Sequence, residues 1–365
     1  MEKTTVILTR KIQIKIDLPT AEEKKEVWQK LYTWQDRCVR AANLIISHLY
    51  VQAMIKDFFY LSEGIKYKLV DEKKNVDGIL QFSHSNCTYR VASDRYKGDI
   101  PTNILNYLNH ELKNKFKKNY MQYASGTRSL DNFKPNSGFL FGTEGFKRLH
   151  YNEDKKAYCF RLFTIPFKTY LGNDFTDKHK LLQKLMSDEV KLCTSRIKLD
   201  KGKIFWLAAF EITKDKHYLK PEVVAEASLS LEHPISVKIG KNKLQIGNKE
   251  EFLHRRLAIQ AAYARTQLAV TYCRSGKGKE RKLKALTKFK DKEANYITNR
   301  LHEYSRRLID FCVKHQAATL VLMDMQENTV IAKEEQFVLR NWNYYELMTL
   351  IKYKADKAGI ELITT

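Results

Sequence analysis

Residues 4–18 (TTVILTRKIQIKIDL) place Ile12, Ile14 and Ile16 on one face and Lys11, Gln13 and Lys15 on the other. That period of two predicts a half-buried strand. Pro19 closes it, and Thr20 followed by Glu22 and Glu23 predicts a helix start. From there to about residue 59 the pattern is helical, with Val27, Leu31, Trp34, Cys38 and Ala41 three or four positions apart. A polar stretch, EGIKYKLVDEKKNVDG, interrupts it. Helical patterning returns over residues 89–96 and 100–123, with Pro101 at a helix start, where its missing N–H costs nothing.

The texture changes near Ser125. Residues 138–213 carry short β-type runs (FLFGT, YCFRLFTIPF, CTSRIKLD, IFWLAAFEI) bounded by Gly, Asp and Lys turns. A helical block is thus flanked by strands, and antiparallel pairing of the first strand with the later ones is the economical topology. KDKHYLKPEVVAEA reads as a charged linker. Two strands follow, in ASLSLEHPISVKIG and KLQIG, then a long helical region over residues 251–315. A hydrophobic strand (ATLVLMDM), a loop, a helix over 344–358 and a last strand (IELITT) complete the chain. Strands followed by long helices and another apolar strand predict an α/β sheet.

Charge narrows the function. Sixty-five Lys and Arg against 42 Asp and Glu give +23 over 365 residues. That excess repels itself in a compact state unless a polyanion neutralises it. Nucleic acid fits better than membrane, because no basic amphipathic anchor helix stands apart. The aromatic residues, 20 of them Tyr, supply faces for stacking on unpaired bases. The six cysteines (38, 87, 159, 193, 273, 312) form no C-x-x-C pair, which excludes a zinc ribbon and a disulfide framework. No signal-peptide core opens the chain and no window reaches membrane-spanning length, so a bacterial cytoplasm, nucleoid-associated when bound, is the expected setting.

Four segments carry a resemblance: residues 125–141 (SGTRSLDNFKPNSGFLF), 204–212 (IFWLAAFEI), 288–325 (KFKDKEANYITNRLHEYSRRLIDFCVKHQAATLVLMDM) and 339–360 (LRNWNYYELMTLIKYKADKAGI). They resemble the compact type V-F CRISPR effectors and their transposon-encoded TnpB-type relatives. The resemblance implies an α+β, multidomain fold: a wedge β-barrel with an inserted helical recognition lobe, followed by a degenerate RuvC (RNase H-like) domain without the zinc module. On it, 1–19 is the first wedge strand, 20–130 the lobe, 131–220 the barrel and 221–365 the RuvC-like domain.

The departures bear on chemistry. Where the family has its first catalytic Asp this chain has Ser230, and Met323 stands at the Glu position, beside a leftover Asp324. The chain ends at Thr365, before the family's zinc module and third acid. Two-metal cleavage needs carboxylates around ions about 3.5–4 Å apart, so the resemblance implies no enzyme, no working Mg²⁺ site and no zinc. Glu232 shares a strand face with Ser230 but would lack the other acids. RSGKGKERK (274–282) fails the phosphate-loop spacing and reads as a basic turn between helices. His254 and His302 fall in helical stretches, outside any paired acid or Cys motif that would mark a catalytic role.

By resemblance, the protein binds a guide RNA and double-stranded target DNA, reads a short adjacent motif, opens an R-loop and regulates transcription, either by recruiting an extracytoplasmic-function sigma factor and RNA polymerase or by occluding a promoter; a residual RNA-guided DNA nuclease is the remaining alternative. A second copy of the chain is a further implied partner. Candidate nucleic-acid contacts are Arg128, Lys134, Arg255, Arg256, Arg265, Lys277, Lys279, Arg281, Arg306, Arg307, Arg340, Asn341 and Trp342. Candidate readers of the adjacent motif are Tyr89, Ser93, Thr102, Asn103 and Asn106, Asn being suited to adenine edges.

Overall fold

The computed structural model describes residues 4–60, 84–172, 177–230, 232–273, 275–323 and 344–364. The chain divides into two compact units, Ile7–Ile212 and Thr213–Thr365, the second including the first six residues.

Strand β1 (Thr5–Ile16), which belongs to the first unit from Ile7 on, buries Leu8, Ile12, Ile14 and Ile16 there. It pairs antiparallel with β5 (Ile165–Tyr170), from Gln13 opposite Tyr170 to Ile16 opposite Phe167. The remaining strands are β2 (Phe139–Phe141), β3 (Phe146–Asn152), β4 (Ala157–Leu162), β6 (Lys191–Leu192), β7 (Ser195–Asp200) and β8 (Lys203–Thr213). The sheet runs β2-β7-β8-β1-β5-β4-β3, with β6 on β8. The apolar run YCFRLFTIPF is therefore two strands rather than one, and Phe163 turns the chain between them at φ 56°. Trp206 fills the sheet's core, with its ring centroid 5.1 Å from those of Phe146 and Phe160.

Helix α1 (Ala21–Tyr60) opens on a full capping box. The Glu23 N–H donates to Thr20 Oγ1 at 3.3 Å, and the Thr20 N–H donates to Glu23 Oε2 at 3.2 Å. Leu31, Trp34, Cys38, Ala41, Ile45 and Leu49 form its buried stripe. It packs on α2 (His84–Tyr96) and α3 (Thr102–Ala124), which are tied together by a buried bond from Thr88 Oγ1 to Asn109 Oδ1 at 2.7 Å. One sequence expectation is corrected here: α1 is long and apolar enough to cross a membrane by length and composition. The apolar residues are there because the helix has a core to fill, and 44% of that apolar window is buried inside the fold.

The second unit holds β9 (Lys220–Ser228), β10 (Ile235–Ile239), β11 (Asn242–Ile246), α5 (Lys249–Thr271), α6 (Lys277–Lys314), β12 (Ala317–Leu322), α7 (Tyr344–Ala358) and β13 (Glu361–Thr364), after the short α4 (Lys178–Met186) of the first unit. Its sheet runs β11-β10-β9-β12-β13; β9, β10 and β11 are antiparallel, and β12 is parallel to both β9 and β13. Strand β9 starts within the stretch that reads as a charged linker. Its Glu222 and Glu226 are exposed while Ala225 and Ala227 face the core, and the small buried side chains hid the strand. Leu301, Leu308 and Cys312 of α6 and Leu347, Ile351 and Ala355 of α7 cover the sheet. The long helical region is two helices, parted at Gly276, whose φ of +84° suits a residue without Cβ.

Candidate functional site

Open α/β sheets bind ligands at the carboxyl ends of their parallel strands, and β9 and β12 end together. Leu322 lies opposite Ala227, and one residue on the Met323 N–H donates to the Ala227 carbonyl at 3.0 Å. The two positions singled out in the sequence, Ser230 and Met323, thus leave neighbouring strands at one edge. The Ser230 hydroxyl donates to the His233 carbonyl at 2.8 Å and accepts the His233 N–H at 3.1 Å. Its donor and its acceptor functions both serve the turn into β10. His233 Nδ1 is 3.1 Å from the Gly247 carbonyl.

Magnesium takes charged oxygen ligands in octahedral geometry. A neutral hydroxyl engaged with backbone on both sides and a half-exposed thioether do not make that donor set. Glu232 is 3.9 Å from the ammonium of Lys249 and largely exposed. Among the described residues, no three His, Cys, Asp or Glu side chains gather to hold a metal. Asp324 lies outside the described residues.

The cationic candidates fall into three kinds. Arg255, Arg265, Lys277, Arg281, Arg306 and Arg307 are exposed and Lys279 is half-buried. Lys277, Lys279 and Arg281 occupy the start of α6 rather than a turn. Cations at a helix N-terminus oppose the macrodipole, an arrangement that a bound polyanion relieves. Arg306 is held by Asp310 at 3.1 Å.

Arg256 is a correction. It is 1% exposed, and its Nε donates to Glu293 at 2.8 Å, a carboxylate that Gln260 also bonds at 2.9 Å. It lies on the inward face of α5 beside Phe252 and Ile259, and it serves the α5–α6 contact rather than a phosphate. Arg340, Asn341 and Trp342 lie outside the described residues.

In the first unit, Arg128 and Lys134 sit on the loop that leads from α3 to β2. The Arg128 guanidinium is 3.1 Å from Asp131 and 5.8 Å from the Tyr123 ring centroid. Asp131 also takes Lys115 at 2.9 Å and the Tyr123 hydroxyl at 2.8 Å. Burial pushes the Asp131 carboxyl up, but the hydrogen bonds from Lys115, Tyr123 and Arg128 outweigh it and hold the group below its ordinary value. Lys134 is exposed.

Of the expected motif readers, Tyr89 and Ser93 are half-buried on α2, while Thr102 and Asn106 are exposed on α3. Asn103 is engaged: its amide donates to Glu144 at 3.1 Å, and its carbonyl faces the Gly142 N–H at 3.5 Å. The Tyr107 hydroxyl reaches the same carboxylate at 3.0 Å. A Cβ at Gly142 would lie 2.1 Å from that hydroxyl, so a larger residue there would have to displace the Tyr107 ring. Sequence reasoning missed Tyr107 and Glu144, and also the Glu111–Arg196 pair at 2.8 Å. These partners lie 37 and 85 residues apart, and nothing local signals them.

No family profile matches the chain. Over 121 residues, 33% of this chain, it is 31% identical to the CRISPR-associated endodeoxyribonuclease Cas12f1 of Sulfoacidibacillus thermotolerans, and that stretch spans 28% of the relative's length. Over 94% of this chain it is 21% identical to Cas12f1 of Syntrophomonas palmitatica, spanning 70% of that protein. In fold it is similar to the Cas12f1 chain of a Cas12f1–sgRNA–target DNA complex, with a TM-score of 0.64 at 14% identity, covering 99% of this chain and 89% of that one. The protein is thus similar in sequence to two Cas12f1 proteins and in fold to that solved Cas12f1 chain.

Proposed function

We propose that this protein is an RNA-guided DNA-binding protein that does not cut. A guide RNA pairs with the target strand while the protein grips the heteroduplex by backbone and shape and checks a short adjacent motif. The carrying observation is Ser230: at the strand end where cleavage needs a carboxylate stands a hydroxyl spent on the turn to His233, beside Met323. The order β11-β10-β9-β12-β13 supports an RNase H-like reading of the second unit as a degenerate RuvC domain, and the antiparallel sheet of the first unit supports the wedge reading. Its similar proteins are an endodeoxyribonuclease and a chain in complex with sgRNA and target DNA, which supports RNA and DNA as partners here.

A complex that finds an address and stays bound acts on transcription. Recruitment of a sigma factor with RNA polymerase is the mode adopted, with promoter occlusion as the alternative. Sequencing the RNA that copurifies with the protein and mapping its chromosomal occupancy tests this. Occupancy at sites matching the RNA spacer is expected, and no enrichment at matched sites would overturn the reading. Retention of sigma factor on the purified complex separates recruitment from occlusion.

A further inference from the structure

The loop over residues 125–138 is polar and Gly-containing, yet it is pinned from several sides. Asn43 grips Phe133 at both backbone groups: its amide donates to the Phe133 carbonyl at 3.2 Å and its carbonyl accepts the Phe133 N–H at 2.8 Å. Arg196 donates to the Ser137 carbonyl at 2.9 Å and spans both oxygens of Glu111 at 2.8 and 3.0 Å. Gly138, at φ +70°, lies so close to β7 that a Cβ there would meet the Ile197 carbonyl oxygen at 2.3 Å. These anchors frame a cavity of about 260 Å³.

Its floor is apolar: Val39 and Ala42 from α1, Leu108 and Leu112 from α3. Phe133 forms one wall, with the Lys115 ammonium 4.9 Å from its ring centroid. The Glu111–Arg196 pair supplies donors and an acceptor at the rim. Drug-sized pockets run to roughly 300–1,000 Å³, so this one has room for a single planar group. An aromatic wall, an apolar floor, a polar edge and the cations Lys115 and Lys134 around the loop together describe one kind of guest.

We propose that this pocket receives one unpaired nucleobase of the bound nucleic acid, stacked on Phe133, with Glu111 and Arg196 meeting its polar edge. Stacking on an aromatic side chain is tolerant of base identity, because every base has a π-face. The proposal rests on the RNA-guided reading and adds a site to it. Arg128 and Lys134, already candidates for backbone contact, lie on the same loop as Phe133.

The test uses the full chain with a single-stranded RNA oligonucleotide carrying 2-aminopurine and a fully paired duplex of equal length. Wild-type protein is expected to quench 2-aminopurine on binding. Phe133→Leu keeps the apolar volume but removes the ring; it is expected to abolish most of the quenching and to weaken single-strand binding about tenfold, with duplex affinity and melting temperature unchanged. Phe133→Tyr is expected to restore both readouts. Quenching in Phe133→Leu equal to wild type, or equal loss on single strand and duplex, overturns the proposal. Wild-type protein that binds RNA without quenching sinks the pocket alone, whereas protein that binds no nucleic acid sinks the RNA-guided reading as well.

Discussion

The Met323 N–H and the Ala227 carbonyl meet at 3.0 Å, and that bond sets the ends of β9 and β12 side by side. The chemistry open to this edge depends on the side chains just beyond the two strands. After β9 the hydroxyl of Ser230 closes a turn; after β12 a thioether stands half-exposed.

If Ser230 is a turn residue, its loss should be felt as stability. Ser230→Ala removes both hydrogen bonds to His233 and should lower unfolding free energy by about 1 kcal/mol, read as a shifted urea midpoint. Nucleic-acid affinity should stay unchanged.

Arg256 and Glu293 should behave as a buried pair. Glu293→Ala strips a carboxylate from a guanidinium that is 1% exposed, at a cost of roughly 3 kcal/mol. Arg256→Met, which removes the buried charge and keeps the volume, should cost far less. Equal effects of the two in chemical denaturation would refute the assignment.

The start of α6 should govern affinity through charge. Replacing Lys277, Lys279 and Arg281 with Gln should weaken RNA binding uniformly across sequences. The slope of log affinity against log salt should fall by about one for each phosphate that is no longer neutralised. An unchanged slope in a salt titration would remove these residues from the interface.

Lys354 gives the second unit a pH signature. Its ammonium donates to the His302 carbonyl at 2.5 Å and to Ser305 at 2.7 Å on α6. Burial, then the nearby Arg306 charge, lower its pKa to about 8, against a smaller upward pull from Asp310. Between about 8 and the unfolded value near 10.4 the unfolded state binds more protons, so this residue's contribution to stability rises with pH across that window. Below it, the cost of the buried charge is present in full. The difference in denaturation midpoint between wild type and Lys354→Met should shift toward wild type from pH 8 to 10; a flat difference contradicts the assignment.

Local chemistry and the antiparallel pairing of β1 with a later strand were legible in the sequence, whereas side-chain pairing between distant residues was not. The alternation of Ile12, Ile14 and Ile16 announced β1, and Thr20 with Glu23 announced α1 through a capping box that needs no distant partner. The positions of Ser230 and Met323 were found by resemblance, and the fold then set them at one sheet edge. Arg256 misled because an Arg among other cations reads as solvated until Glu293, 37 residues on, is folded against it. β9 was hidden because a central strand facing a packed helix layer can use Ala225 and Ala227, which carry little hydrophobic signal. The pocket beside Phe133 required α1, α3, the loop and β7 together, and no stretch of sequence holds all four.

The most direct test of non-cutting, guide-directed binding incubates the protein and its copurified RNA with a supercoiled plasmid bearing the matched spacer, in Mg²⁺, and runs it before and after protease treatment. A retarded plasmid that returns intact and supercoiled after protease is the expected result. A guide-dependent nick or linear product would contradict the account.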